Sequence, residues 1–223
     1  MLTHIKHVLN SAQLGAVEKL LSAGTFADGD TSAGKAARRV KHNMELSLDN
    51  ARLTELNNLV MGCLVKNPVY RSAALPLKIA APYYACYTQG MTYGNHVDDP
   101  LMGDGQQYRS DISVTIFLSE PADYEGGELV ITTAFGDQSV KLAAGDAVLY
   151  PSSSLHRVNE VTKGERLVAV SWIQSAVRDS DKRALLHELN TAREVLLRDQ
   201  PDSDETQQVN HSYINLVRMW SDV

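Results

Sequence analysis

Arg166-Leu167-Val168-Ala169-Val170-Ser171-Trp172 separates two rows of side chains: Arg166, Val168, Val170 and Trp172 on one, Leu167, Ala169 and Ser171 on the other. Side chains on an extended chain alternate between faces, and β-branched residues favour that geometry, so residues 166–173 read as a strand. Outward from it lie more runs rich in Val, Ile, Tyr, Thr and Phe, at 77–87, 111–118, 128–132, 139–142 and 147–150. Gly126-Gly127, Gly136-Asp137, Gly145-Asp146 and Lys163-Gly164 punctuate them. Short strands at regular spacing with turn signals between imply an all-β sandwich or barrel rather than a parallel α/β sheet.

The flanks change period. Leu14, Val17, Leu20 and Leu21 recur at helical spacing and predict a helix over 11–22, with Ser11 as N-cap and Gly24 as stop. A second helix is expected over 50–65, with Leu53, Leu56, Leu59, Val60 and Leu64 on one side. Residues 26–37, rich in Gly, Ala, Asp and Ser, read as a loop, and a strand is expected over 43–48. Beyond the β region, Leu185, Leu189, Ala192 and Leu196 mark a helix ending near Arg198, and a last one is expected over 205–221. The fold class is therefore mainly β with flanking helices, organised as an N-terminal mixed segment (1–76), a β core (77–177) and a helical extension (178–223).

Bulk composition narrows the function. With 223 residues and 43% hydrophobic content the chain can bury a sizeable core. No apolar run reaches the eighteen or so residues of a membrane helix. The first residues lack the pattern of a signal peptide, and Cys63 and Cys86 form no CxxC motif, so a cytoplasmic location with reduced thiols is expected. A net charge of −6 argues against nucleic acid as a partner. Arg38, Arg39, Lys41 and His42 form a basic cluster, either a pocket rim attracting an acidic substrate or a solvated face.

Three features of the β region carry chemistry together. In His96-Val97-Asp98 strand alternation brings the first and third side chains to one point, and parity prefers Asp98 to Asp99. His156 follows a strand and the turn-like Pro151-Ser152-Ser153-Ser154. Two histidines and one carboxylate suit a divalent metal with open positions: non-haem Fe(II) that activates oxygen, or catalytic zinc. Arg166 favours the first. A guanidinium in an apolar β row needs a carboxylate partner, and the distal carboxylate of a metal-chelating 2-oxo diacid supplies one. A zinc- or manganese-dependent cupin-like hydrolase or isomerase, and a non-catalytic small-carboxylate sensor, remain the alternatives.

The stretches Cys86-Tyr87…Tyr93-Gly94-Asn95-His96-Val97-Asp98, Glu125-Gly126-Gly127-Glu128-Leu129, Gly145-Asp146-Ala147-Val148-Leu149-Tyr150-Pro151 and His156-Arg157-Val158…Gly164-Glu165-Arg166 together resemble prolyl 4-hydroxylase-type dioxygenases, in particular the bacterial PKHD-type hydroxylases. The resemblance implies a double-stranded β-helix, or jelly roll, with Fe(II) on His96, Asp98 and His156. It places Arg166 on the C5 carboxylate of 2-oxoglutarate, Tyr87 beside that co-substrate and Trp172 near the metal or in core packing. It implies O2 as oxidant, with L-ascorbate to restore oxidised iron. The substrate would be a peptidyl residue or a small metabolite such as a siderophore-related compound, and the flanking helices are candidates for a homodimer interface.

Overall fold

The computed structural model describes residues 1–29, 37–103 and 105–223. Two antiparallel sheets face each other. Among the described residues the larger has eight strands. In spatial order seven of these are Thr3–Ile5, Ala147–Pro151, Ile112–Phe117, Arg166–Ser175, Tyr83–Tyr87, Met44–Ser47 and Thr25–Asp28. The eighth, Pro76–Ile79, pairs with the far end of Arg166–Ser175. The smaller sheet runs Gly136–Val140, Leu129–Thr133, His156–Val158, Thr92–His96 and Lys41–His42. This is the double-stranded β-helix, with helices outside the larger sheet.

The larger sheet is covered on both faces, which explains why its central strands read as near-continuous apolar runs. Every residue of Ile112–Phe117 is buried. Ile112, Val114 and Ile116 join Ala147, Leu149, Ala169 and Ile173 against the N-terminal helices. There α1 (Ser11–Leu21) contributes Val17 and Leu21, α2 (Asn50–Lys66) contributes Leu56, Val60 and Leu64, and α3 (Pro68–Ala74) contributes Tyr70. On the inner face Phe117, Val148, Tyr150 and Val168 meet Leu129, Ile131 and Val158 of the smaller sheet. At about 25 cal/mol per Å2 each fully buried aliphatic side chain contributes roughly 1.5–3 kcal/mol, so the two layers supply most of the folding drive.

Several local expectations need correction. The N-cap of α1 is Asn10 rather than Ser11: its side chain accepts from Gln13 N at 2.9 Å while Gln13 Oε1 accepts from Asn10 N at 2.8 Å, a reciprocal box that a serine one residue later cannot form. The stretch 26–37 is not all loop. Thr25–Asp28 is an edge strand on Met44–Ser47, set by pairing rather than by its own composition. Of the remainder, 30–36 lie outside the described residues. Residues 77–87 are two strands, parted at Ala80-Ala81-Pro82, where proline has no N–H to give a ladder. The extended chain through His96 stops there, so Asp98 lies just beyond the strand. The short helix α3, capped by Asn67 on Val69 N and Tyr70 N, was not expected.

Downstream, α4 (Ser180–Asp199) and α5 (Asp204–Trp220) pack on each other, and α4 packs on α3. Among the described residues no helix is long and apolar enough to cross a membrane. Cys63 is half-buried, Cys86 is buried, and both are free thiols.

Candidate metal and co-substrate site

The smaller sheet brings the two histidines together by register. His96 ends its strand, His156 begins its own, and the two are direct partners across the antiparallel ladder. Asp98, two residues on, turns Oδ1 to within 3.9 Å of His96 Nε2 and 3.8 Å of His156 Nε2. Ligand-competent atoms of these three side chains all lie within 4.8 Å of one another. The neighbouring Asp99 is outside that trio and is exposed.

Both imidazoles are oriented by backbone. His96 Nδ1 donates to Gly94 O at 2.8 Å and His156 Nδ1 to Ser154 O at 2.9 Å, which leaves each Nε2 lone pair facing Asp98. Tyr93 stacks on His96 at 3.6 Å between ring centroids, and Tyr150 meets His156 edge-on at 5.1 Å. Burial, then the adjacent His156, pulls the His96 pKa down to about 4, so at neutral pH the ring is in the ligand form. Two imidazole Nε2 atoms and one carboxylate oxygen aimed at a common point fit a divalent ion with open positions.

Arg166 occupies the other end of the same cavity, whose volume is about 520 Å3. It is 2% exposed, and among the described residues its Nε has no hydrogen-bond partner. Its guanidinium lies 5.0 Å from the Tyr87 ring centroid and 5.7 Å from that of Phe117. Tyr124 OH nearby is likewise buried without a partner. Burial raises the Tyr87, Tyr124 and Tyr150 phenols, and Arg166 opposes the rise in each, so they stay protonated donors. A buried cation among phenols, with an unanswered N–H, fits a carboxylate arriving as ligand.

The diglycine of the sequence has its reason here. Gly127 has φ +67°, and a Cβ on it would stand 2.9 Å from Val161 Cγ2 and 3.1 Å from Arg166 Cδ. Only glycine lets that backbone close over the arginine stem. As strand alternation requires, Arg166, Val170 and Trp172 all face the cavity. Trp172 stands at the mouth, in edge contact with Tyr83 at 5.8 Å, its Nε1 buried and without a hydrogen-bond partner among the described residues.

The basic cluster separates. Arg38, Arg39 and His42 are exposed, whereas Lys41 turns inward, donates to Gly29 O at 2.6 Å, pairs with Glu45 and lines the cavity. Sequence reasoning missed the cavity roles of Tyr93, Tyr150 and Glu45, and the pair Ser113 and Ser152 behind Asp98. Tyr93, three residues before His96, is the one with a local signal.

Residues 82–174 match the 2OG-Fe(II) oxygenase superfamily, and residues 180–222 match the PKHD-type hydroxylase C-terminal domain. A PKHD-type hydroxylase of Thioalkalivibrio sulfidiphilus is 52% identical over 224 residues, covering 100% of both chains. The chain belongs to the PKHD-type hydroxylases. A second relative with that name, from Pseudomonas putida, is 42% identical over 226 residues, again covering 100% of both. This PKHD-type hydroxylase is a 2-oxoglutarate-dependent dioxygenase, and its family uses Fe(II), 2-oxoglutarate and O2. Solved structures share its fold at low identity. A Trichoplax adhaerens prolyl hydroxylase in complex with a hypoxia inducible factor peptide fragment matches with TM-score 0.59 and 16% identity, over 82% of this chain and 86% of that one. HygX of Streptomyces hygroscopicus, with nickel, 2-oxoglutarate and hygromycin B bound, matches with TM-score 0.52 and 14% identity, over 79% and 84%.

Proposed function

We propose that this enzyme hydroxylates an unactivated C–H of a peptidyl residue or a small metabolite. His96, Asp98 and His156 hold Fe(II), and Arg166 with Tyr87 binds 2-oxoglutarate. Residues 77–177 form the dioxygenase core, 1–76 pack on it and extend both of its sheets with outer strands, and 178–223 are its helical extension. The observation that carries the proposal is a single cavity with a His–Asp–His trio at one end and, at the other, a buried arginine whose Nε has no hydrogen-bond partner among the described residues.

Bound iron supplies the oxygen chemistry: one atom of O2 goes to succinate as 2-oxoglutarate loses CO2, and the other becomes the substrate hydroxyl. The chain's own contribution is placement. Arg166 offers its fork of N–H donors to the C5 carboxylate, and the apolar wall around it makes that pairing strong by excluding water. Tyr87, held protonated, donates a further hydrogen bond to the same co-substrate. The backbone-anchored imidazoles keep both Nε2 atoms aimed at the point that Asp98 Oδ1 also faces, where the three side chains would hold Fe(II). Tyr83 and Leu101, 45% and 57% exposed, line the mouth and offer a substrate an apolar landing.

Neighbours of both types support the substrate range, one in complex with a peptide fragment and one with hygromycin B bound. The decisive experiment is a screen of peptides and small molecules for Fe(II)-dependent, substrate-stimulated conversion of 2-oxoglutarate to succinate, with hydroxylated product located by mass spectrometry. Turnover that persists in Arg166→Ala without 2-oxoglutarate would support a metal hydrolase instead. Binding of 2-oxoglutarate with no product from any oxidisable partner would support a sensor.

A further inference from the structure

Asp98 is the member of the trio that no strand holds. Its position is set from the facing sheet. Ser113, the second residue of Ile112–Phe117 and 0% exposed, brings Oγ to 2.5 Å from Asp98 Oδ2 and 2.8 Å from Ser152 Oγ. Ser152, 1% exposed, is itself fixed by its N–H on Asp111 O at 3.2 Å. An ionised carboxylate only accepts, so the Ser113 proton goes to Asp98, and Ser113 then accepts the proton of Ser152. The result is a directed chain, Ser152 to Ser113 to Asp98. Two hydroxyls at fully buried positions cost stability unless such bonds satisfy them, and this pair is satisfied through the metal-site carboxylate.

The two oxygens of Asp98 therefore have different tasks: Oδ2 is engaged by Ser113, and Oδ1 faces both imidazoles. We propose that Ser113 and Ser152 are positioning residues that make Asp98 a one-oxygen metal ligand. Occupation of Oδ2 keeps the carboxylate from chelating the ion through both oxygens. That preserves the positions needed by a bidentate co-substrate and O2. The inference rests on the proposed ligand role of Asp98, and the test separates the two.

Fe(II) affinity is measured anaerobically by chelator competition on the full chain, and the visible band of the Fe(II)–2-oxoglutarate complex is recorded at saturation. Far-UV circular dichroism and a cooperative melt confirm that each variant folds. Ser113→Ala is expected to lower Fe(II) affinity about ten- to a hundredfold and to shift the band, as loss of a partner behind a metal ligand does. Ser152→Ala leaves Ser113 in place and is expected to lower affinity in the same direction by roughly threefold. It also carries the test if Ser113→Ala does not fold. Affinity and band unchanged in both serine variants while Asp98→Ala loses iron would overturn the positioning role and leave the ligand assignment standing. Wild-type affinity in Asp98→Ala would overturn both.

Discussion

The two sheets that enclose the cavity do different work. The smaller one is short and irregular, its register shifting between His156 and Val158, and it contributes two cross-strand histidines. The larger one is long and buried on both faces, and it contributes Arg166, Tyr87, Ser113 and Tyr150. Two histidines can be aimed from a small sheet because two backbone carbonyls, Gly94 O and Ser154 O, orient their rings locally. A buried guanidinium cannot be held that way. A guanidinium 2% exposed needs a rigid frame, and the larger sheet supplies much of it through Tyr87 and Phe117. Asp98 joins the two, since it follows a strand of the smaller sheet yet is held by a hydroxyl of the larger.

This division predicts separable losses. The largest effect comes from the metal end. His96→Ala, Asp98→Ala and His156→Ala should each lower turnover roughly a thousandfold or more, an effect of about 4 kcal/mol, with loss of Fe(II) binding in a chelator-competition assay. Chelator treatment of the wild type should abolish turnover, and added Fe(II) should restore it. Next is the co-substrate end. Arg166→Ala should raise the 2-oxoglutarate KM roughly thirtyfold or more, equivalent to at least about 2 kcal/mol, while Fe(II) affinity in the absence of 2-oxoglutarate stays near wild type. Equal damage to iron binding would dissolve the division between the sheets.

A smaller effect tests the frame itself. Gly127→Ala forces a side chain into a positive-φ position beside the arginine stem, at a cost of about 1–2 kcal/mol. Thermal unfolding should register that loss, and the 2-oxoglutarate KM should move with it more than Fe(II) affinity does. The smallest effect belongs to Phe135, 96% exposed at the tip of the hairpin that edges the smaller sheet. Phe135→Ser should change unfolding free energy by less than about 0.5 kcal/mol and leave both binding constants in place. A large effect there would show that the smaller sheet's edge, and not only its centre, supports the metal end.

Local periodicity made the β core and most helices legible, because burial on one or both faces imprints directly on spacing. That His96, Asp98, His156 and Arg166 gather at one cavity was legible, since a buried charge and three ligand-type side chains have few other uses together. Thr25–Asp28 was not, because an edge strand borrows its conformation from Met44–Ser47 and needs little apolar patterning of its own. Ser113 and Ser152 were invisible for a different reason. They lie 39 residues apart, and their partner Asp98 is 15 residues from Ser113, so only the closed double sheet brings the hydroxyls to the carboxylate. Lys41 misled through its neighbours: Arg38 and Arg39 stay in solvent, whereas Lys41 is drawn in by Glu45 and Gly29 O.

The central claim is that the trio and Arg166 serve one co-substrate in one cavity. Anaerobic titration of the Fe(II)-loaded enzyme with 2-oxoglutarate tests it most directly, followed by visible absorption. The wild type should develop a weak metal-to-ligand charge-transfer band that saturates, and Arg166→Ala should develop the same band only at far higher 2-oxoglutarate. No band in wild type with iron demonstrably bound, or an identical titration curve in Arg166→Ala, would contradict the account.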